Sequence, residues 1–222
     1  SLLTPEGRQW LRQYEDYRDA CIQTNRALYR QFFPNVGCVI MASGLGKRFG
    51  SNKLMADFCG SPMIRRALDA TRGLFSQRIV VTRHESVAAL CREQNIHVVL
   101  HDLPHRSDTV RLGLEALGNL DACMFLPGDQ PLLGRETVAM LLERWREKPD
   151  SIIRPVYEDT EGSPVIFPGW AFEELRNLPE GKGGGVVIRN HPHAVCRVSV
   201  TNPFELADAD TPETLEILRG LS

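Results

Sequence analysis

The sequence predicts an α/β fold built on a mainly parallel sheet and preceded by an N-terminal helix. From Val36 onward, short apolar runs alternate with amphipathic helical stretches, the pattern of a parallel sheet covered on both faces. A glycine-rich loop follows the first of these runs, at the carboxyl edge where open α/β sheets receive ligands. Ahead of it, residues 4–33 carry bulky side chains at helical spacing.

The leading helix starts at Thr4-Pro5-Glu6, where threonine caps, proline sets the first turn and the carboxylate faces the positive helix end. Trp10, Tyr14, Tyr17, Cys21, Leu28 and Phe32 then recur at steps of three, four or seven until Phe33-Pro34 breaks the run. Such a stripe needs a surface to bury against. Residues 1–35 therefore read as a helical extension, and 36–222 as one domain. Strands are expected at 37–41, 78–82, 97–100, 122–126, 152–157, 165–167 and 194–200. Helices are expected to begin at Ser61-Pro62, to run from Arg135 to Trp145, and to follow the cap Thr211-Pro212-Glu213. Repeats and low-complexity tracts are absent.

The chain has 222 residues, 42% of them hydrophobic, enough for one sizeable core. Its formal net charge is -2, with Lys and Arg spread along the chain. That pattern offers no footprint for nucleic acid or an anionic membrane, and points to a small anionic partner. Six cysteines (21, 38, 59, 91, 123 and 196) stand apart without C-x-x-C spacing and read as buried thiols in a reducing compartment. No apolar stretch is long enough for a membrane span, and no signal-peptide pattern opens the chain, so a cytoplasmic location is expected. The chain starts at Ser1 instead of Met, which leaves a longer parent polypeptide open.

The strongest local signal is Ala42-Ser43-Gly44-Leu45-Gly46-Lys47-Arg48-Phe49-Gly50-Ser51-Asn52-Lys53. Its glycines let backbone N–H groups approach an anion, and Lys47, Arg48 and Lys53 can neutralise phosphate oxygens. The dinucleotide fingerprint G-x-G-x-x-G fails because the third glycine comes one residue late, at Gly50. The Walker pattern fails because Phe49 stands where glycine is required. A polyphosphate in some other nucleotide fold suits the loop; the bland alternative is a solvated basic turn.

Two acidic clusters complement it. Gly128-Asp129-Gln130-Pro131 ends a buried strand, so Asp129 points into the same crevice, and Asp208-Ala-Asp210 precedes a capped helix. Nucleotide-bound Mg²⁺ takes one or two protein carboxylates, so Asp129 with Asp208 or Asp210 suffices, Mn²⁺ being the alternative ion. Singly, Asp129 reads as a turn residue and the later pair as helix-start anions. The histidines lack ligand spacing for zinc: His191-Pro-His193 sits in a turn, and the four-residue steps of His97, His101 and His105 cross a strand and a loop.

This ordered set of motifs resembles the molybdenum cofactor nucleotidyltransferases, above all the cytidylyltransferase branch, over residues 36–222. Gly162-Ser-Pro-Val-Ile-Phe looks like that family's G-x-P-h-x-F stretch, where the acceptor approaches. Arg106-Ser-Asp-Thr109-Val-Arg-Leu-Gly-Leu is similar to the R-x-x-S-V-x-x-G-L segment of methylerythritol phosphate cytidylyltransferases, whose serine region contacts cytosine. The resemblance implies a three-layer Rossmann-like nucleotidyltransferase fold and transfer of a nucleoside monophosphate, from CTP in preference to GTP, to a molybdopterin-type phosphate. It assigns nucleotide binding to Ala42, Ser43, Gly44, Gly46, Arg48, Lys53, Arg106, Thr109 and Gly128. Catalysis falls to Arg48, Lys53 and Asp129, and the metal to Asp129, Asp208 and Asp210. Three features depart from the pattern. Met41-Ala-Ser-Gly matches the loop of neither branch, Lys182 in Gly181-Lys-Gly-Gly-Gly replaces an acid, and the leading helix is extra. That helix suits a partner domain or subunit. The rival readings are a sugar- or polyol-phosphate nucleotidyltransferase and a nucleotide-binding module without turnover.

Overall fold

The computed structural model describes residues 4–46, 48–50 and 52–222, with the side chains of 26, 27, 30 and 31 outside that description. The chain divides into a unit ending at Asn35 and a unit over Val36–Ser222. The first consists of α1 (Pro5–Phe32), whose cap is the Thr4 hydroxyl accepting from Gly7 N–H at 3.1 Å. Trp10 and Tyr14 stack on it with ring centroids 5.8 Å apart, and both are exposed.

In the second unit the elements run β1 (Val36–Ala42), β2 (Asp57–Phe58), β3 (Ser61–Pro62), α2 (Ile64–Ala70), β4 (Gln77–Thr82), α3 (Glu85–Glu93), β5 (His97–Leu100), α4 (Arg106–Leu117) and β6 (Ala122–Pro127). They continue as α5 (Arg135–Glu147), β7 (Ile152–Tyr157), β8 (Thr160–Glu161), β9 (Val165–Pro168), α6 (Phe172–Arg176), α7 (Gly185–Asn190), β10 (Val195–Ser199) and α8 (Pro212–Arg219). The sheet order is β10-β7-β9-β6-β1-β4-β5, with β8 added to β7. Strands β6, β1, β4 and β5 are mutually parallel, and only β9 and β8 run against their neighbours.

Alternation along β1 builds the three layers. Cys38 and Ile40 face one core with α2, α3, α5 and α8, while Val39 faces the other with α4, α6 and α7. Helix α4 lies close to β1 because residue 113 is glycine; a Cβ there would come within 2.7 Å of Val39 Cγ2.

Two expectations need correction. Ser61-Pro62 does not start a helix: Asp57–Phe58 pairs with it as a small antiparallel ribbon, and the helix begins at Ile64. Cys21 and Cys59 are exposed, Cys196 is half-buried, and only Cys38, Cys91 and Cys123 are buried. All six are free thiols, and burial pushes Cys91 up to about 11. Among the described residues, no helix is long and apolar enough to cross a membrane.

Candidate active site

The carboxyl ends of β1, β4, β5 and β6 open into a crevice of about 630 Å³. Ser43, Gly44 and Gly46 form one wall, Arg106 and Thr109 of α4 another, and Asp129, Asp208 and Asp210 a third. Gly46 adopts φ 58°, the left-handed turn that glycine makes without strain. The loop is tied down from the side: Thr82 Oγ1 donates to the Ala42 carbonyl (2.9 Å), and His84 Nε2 contacts the Gly44 carbonyl (2.8 Å).

Asp129 is delivered by the turn after β6. Gly128 N–H donates to the Met41 carbonyl at 3.0 Å, and a Cβ at 128 would meet Ile64 Cδ1 at 2.8 Å, so glycine lets the turn lie this close without displacing that side chain. The late acidic segment lies alongside, because Ala209 N–H donates to the Asp129 carbonyl at 2.8 Å. Lys53 joins the two clusters: its Nζ is 2.5 Å from Asp129 Oδ2 and 2.8 Å from Asp210 Oδ1. Arg48 Nη2 adds a contact of 2.6 Å to Asp210 Oδ2.

Burial works against the Lys53 ammonium, but the Asp129 and Asp210 carboxylates outweigh it and its pKa is raised. The hydrogen bond from Lys53, against some burial, holds Asp210 below its usual value. Asp208 is pushed up, first by the packing around its carboxyl and then by the charge of Asp129; its exposed face lets water limit the effect. Oxygen donors of this kind, in one crevice and unevenly neutralised, fit a hard divalent cation that keeps part of its own hydration. Among the described residues no three Asp, Glu, His or Cys side chains form a complete cage, so phosphate and water oxygens would have to fill the remaining positions.

A second cavity of about 560 Å³ adjoins the first and shares Met41, Arg106 and Ser163 with it. Val110, Phe125, Val165 and Phe167 make an apolar floor. Lys182 and Arg189 supply positive charge, Arg154 is paired with Glu161 on the same wall at 2.6 Å, and the Gly181–Gly184 segment lies over the floor, Gly183 against Arg106 and Gly184 against Phe167.

Of the residues singled out in the sequence, Ser43, Gly44, Gly46, Arg106, Thr109, Asp129, Asp208 and Asp210 come together around the first crevice. Ala42 and Gly128 stand behind it as framework, and Lys53 and Arg48 reach its acidic wall. Lys47 lies outside the described residues. His191 Nε2 lies 2.9 Å from Glu174 Oε2. Sequence reasoning missed Arg154, Glu161, Arg189, His84 and His101. A charge inside the apolar run Ile152-Ile-Arg154-Pro-Val was the available signal for Arg154; the histidines offered none.

A glycine loop and an acidic wall at the carboxyl edge of a parallel sheet, beside a second cavity, make the ligand crevice of an open α/β domain. The chain belongs to the MobA-like NTP transferase domain family, whose model matches residues 38–195. It is 33% identical over 114 residues to the bifunctional protein GlmU of Rubrobacter xylanophilus, covering 49% of this chain and 24% of that protein. It is 28% identical over 111 residues to a probable molybdenum cofactor guanylyltransferase of Aquifex aeolicus, covering 50% of this chain and 54% of that one. The chain thus spans about a quarter to about half of these relatives. Among solved structures, Rv0371c of Mycobacterium tuberculosis superposes with a TM-score of 0.75 at 23% identity, over 84% of this chain and 98% of that one. The same protein has been solved in complex with manganese (TM-score 0.70, 21% identity, 85% and 100% covered).

Proposed function

We propose that this domain transfers a nucleoside monophosphate from an NTP, CTP in preference to GTP, to a phosphorylated acceptor of the molybdopterin class. The observation that carries the proposal is the pair of adjoining cavities with Arg106 on their shared wall, one polar and acidic, the other with an apolar floor and cationic side chains. An oxygen of the acceptor phosphate attacks the α-phosphorus, the bond to the β-phosphate oxygen breaks, and the electron pair leaves on pyrophosphate. Such displacements need positioning and charge stabilisation more than acid or base groups. Gly44 and Gly46 present backbone donors, Arg48 holds the departing pyrophosphate, and Lys53 stabilises charge at the α-phosphate. Arg106 steers the two phosphates together, and Thr109 with Ser43 lines the space beside the base. Asp129, with Asp208 or Asp210, would hold Mg²⁺ or Mn²⁺, which when bound supplies charge neutralisation for the phosphates. The manganese complex of Rv0371c supports a divalent ion.

The flat face of a pterin suits the floor of Val110, Phe125, Val165 and Phe167, with the polar edge of the ring turned toward Lys182 and Arg189. Pyrophosphate release measured with each NTP, with and without molybdopterin, tests the proposal. Molybdopterin-dependent release with CTP is the expected result. Release only with GTP overturns the base assignment, release driven by sugar phosphates overturns the acceptor, and none with any pair overturns turnover.

A further inference from the structure

The two cations assigned to phosphate each engage the acidic wall of the crevice. Lys53 Nζ takes one oxygen each of Asp129 and Asp210, at 2.5 and 2.8 Å, and Arg48 takes the other oxygen of Asp210 at 2.6 Å. Lys53 is held there by more than charge. Its side chain is only 9% exposed and stands on a single 3₁₀ turn, Lys53–Met55, capped by Asn52, which in turn donates to Ser86 Oγ at 3.1 Å. Arg48 is 71% exposed.

We propose that these two side chains gate the pairing of Asp210 with Asp129 on the metal: they occupy both oxygens of Asp210 and one of Asp129, and nucleotide phosphates must draw them off before Asp210 can join the cation. The inference rests on the nucleotidyl-transfer reading of this crevice. A divalent ion approaching Asp129 or Asp210 meets an ammonium already on those oxygens and is repelled by it. An incoming triphosphate offers Lys53 and Arg48 richer acceptors and leaves the carboxylates vacant for the ion. Metal and nucleotide therefore bind as a coupled pair, each tightening the other by the same factor, and each basic residue has two successive partners.

The test is Mn²⁺ binding to the nucleotide-free protein, read by the electron paramagnetic resonance signal of free Mn²⁺. Lys53→Met keeps the volume of the stem and removes the charge; its apparent Kd for Mn²⁺ should fall about tenfold, within the usual range of site coupling. Arg48→Met, at an exposed position, should tighten binding about fivefold, the lower end of that range. Arg83 lines the crevice but donates to the Asp102 carbonyl at 3.0 Å, so Arg83→Met measures the general field alone and should change little. The gate is overturned if Lys53→Met binds Mn²⁺ no tighter than wild type, or if Arg83→Met gains as much. Should melting curves show Lys53→Met unfolded, Arg48→Met decides, and unchanged affinity there overturns the gate. Wild-type pyrophosphate release separates the two readings: turnover with unmoved Mn²⁺ affinities sinks the gate alone, and no NTP-dependent release sinks the reading beneath it.

Discussion

Ser43 Oγ lies 2.7 Å from His101 Nε2 and 3.2 Å from the Val81 carbonyl, tying the glycine loop to the ends of two neighbouring strands. The hydroxyl has one proton, and Val81 can only accept. The direction of the Ser43–His101 hydrogen bond follows the imidazole tautomer, and the other ring nitrogen, Nδ1, is buried. Burial, assisted by Arg83, holds this imidazole below its usual pKa.

A lowered histidine pKa means that the unfolded chain binds the proton first, so the stability that neutral His101 contributes is lost as pH falls below its unfolded value. Melting temperatures of wild type should therefore drop between about pH 7 and 5 more steeply than those of His101→Gln, which keeps a donor and cannot titrate. At pH 7.5 His101→Leu should weaken CTP binding by roughly threefold to tenfold, the worth of one hydrogen bond that orders the loop, with His101→Gln largely restored. Equal pH slopes in wild type and glutamine variant would show that His101 does not govern this loop.

The phosphate roles proposed for Lys53 and Arg48 predict kinetic losses that surface groups do not give. Lys53→Ala should lower the single-turnover rate at saturating Mg²⁺-CTP by roughly a hundredfold, as loss of a preorganised charge does. Arg48→Lys should slow it as well, because an ammonium cannot grip two phosphate oxygens as a guanidinium does. Wild-type rates in Lys53→Ala, with folding confirmed by melting, would return the loop to the status of a basic turn.

The second cavity, proposed to take the acceptor, is exposed to a different perturbation. At Gly184 an added Cβ would stand 2.6 Å from Phe167 Cζ and 2.9 Å from Cε2, atoms of a buried, rigid ring. Gly184→Ala should cost about 1–3 kcal/mol in denaturant titration, the usual penalty of overpacking. It should raise KM for the acceptor while leaving the calorimetric affinity for CTP unchanged. A matching loss of CTP affinity would mean that the two cavities do not serve separate substrates.

The sequence alone determined what repeats locally. Apolar runs of strand length placed the strands at 97–100 and 152–157 with the bounds they have, and the glycine loop and Gly128-Asp129 were legible because such turns admit few residue types. Chain-local chemistry also marked Asp208 and Asp210 as acids beside a capped helix. Tertiary structure decided whatever depends on residues distant in the chain. Lys53 reads as a phosphate ligand in the loop, yet its ammonium sits on Asp129 and on Asp210, 157 residues away, because the fold lays the late acidic segment beside the turn after β6. Strand β9 runs against β6 and β7, and Ser61-Pro62 pairs with Asp57–Phe58, since pairing direction is set by neighbours and not by the apolar pattern of a strand. His101 carries no sequence signal because its role is a single contact made across the carboxyl edge of the sheet, which exists only once β1, β4 and β5 lie side by side.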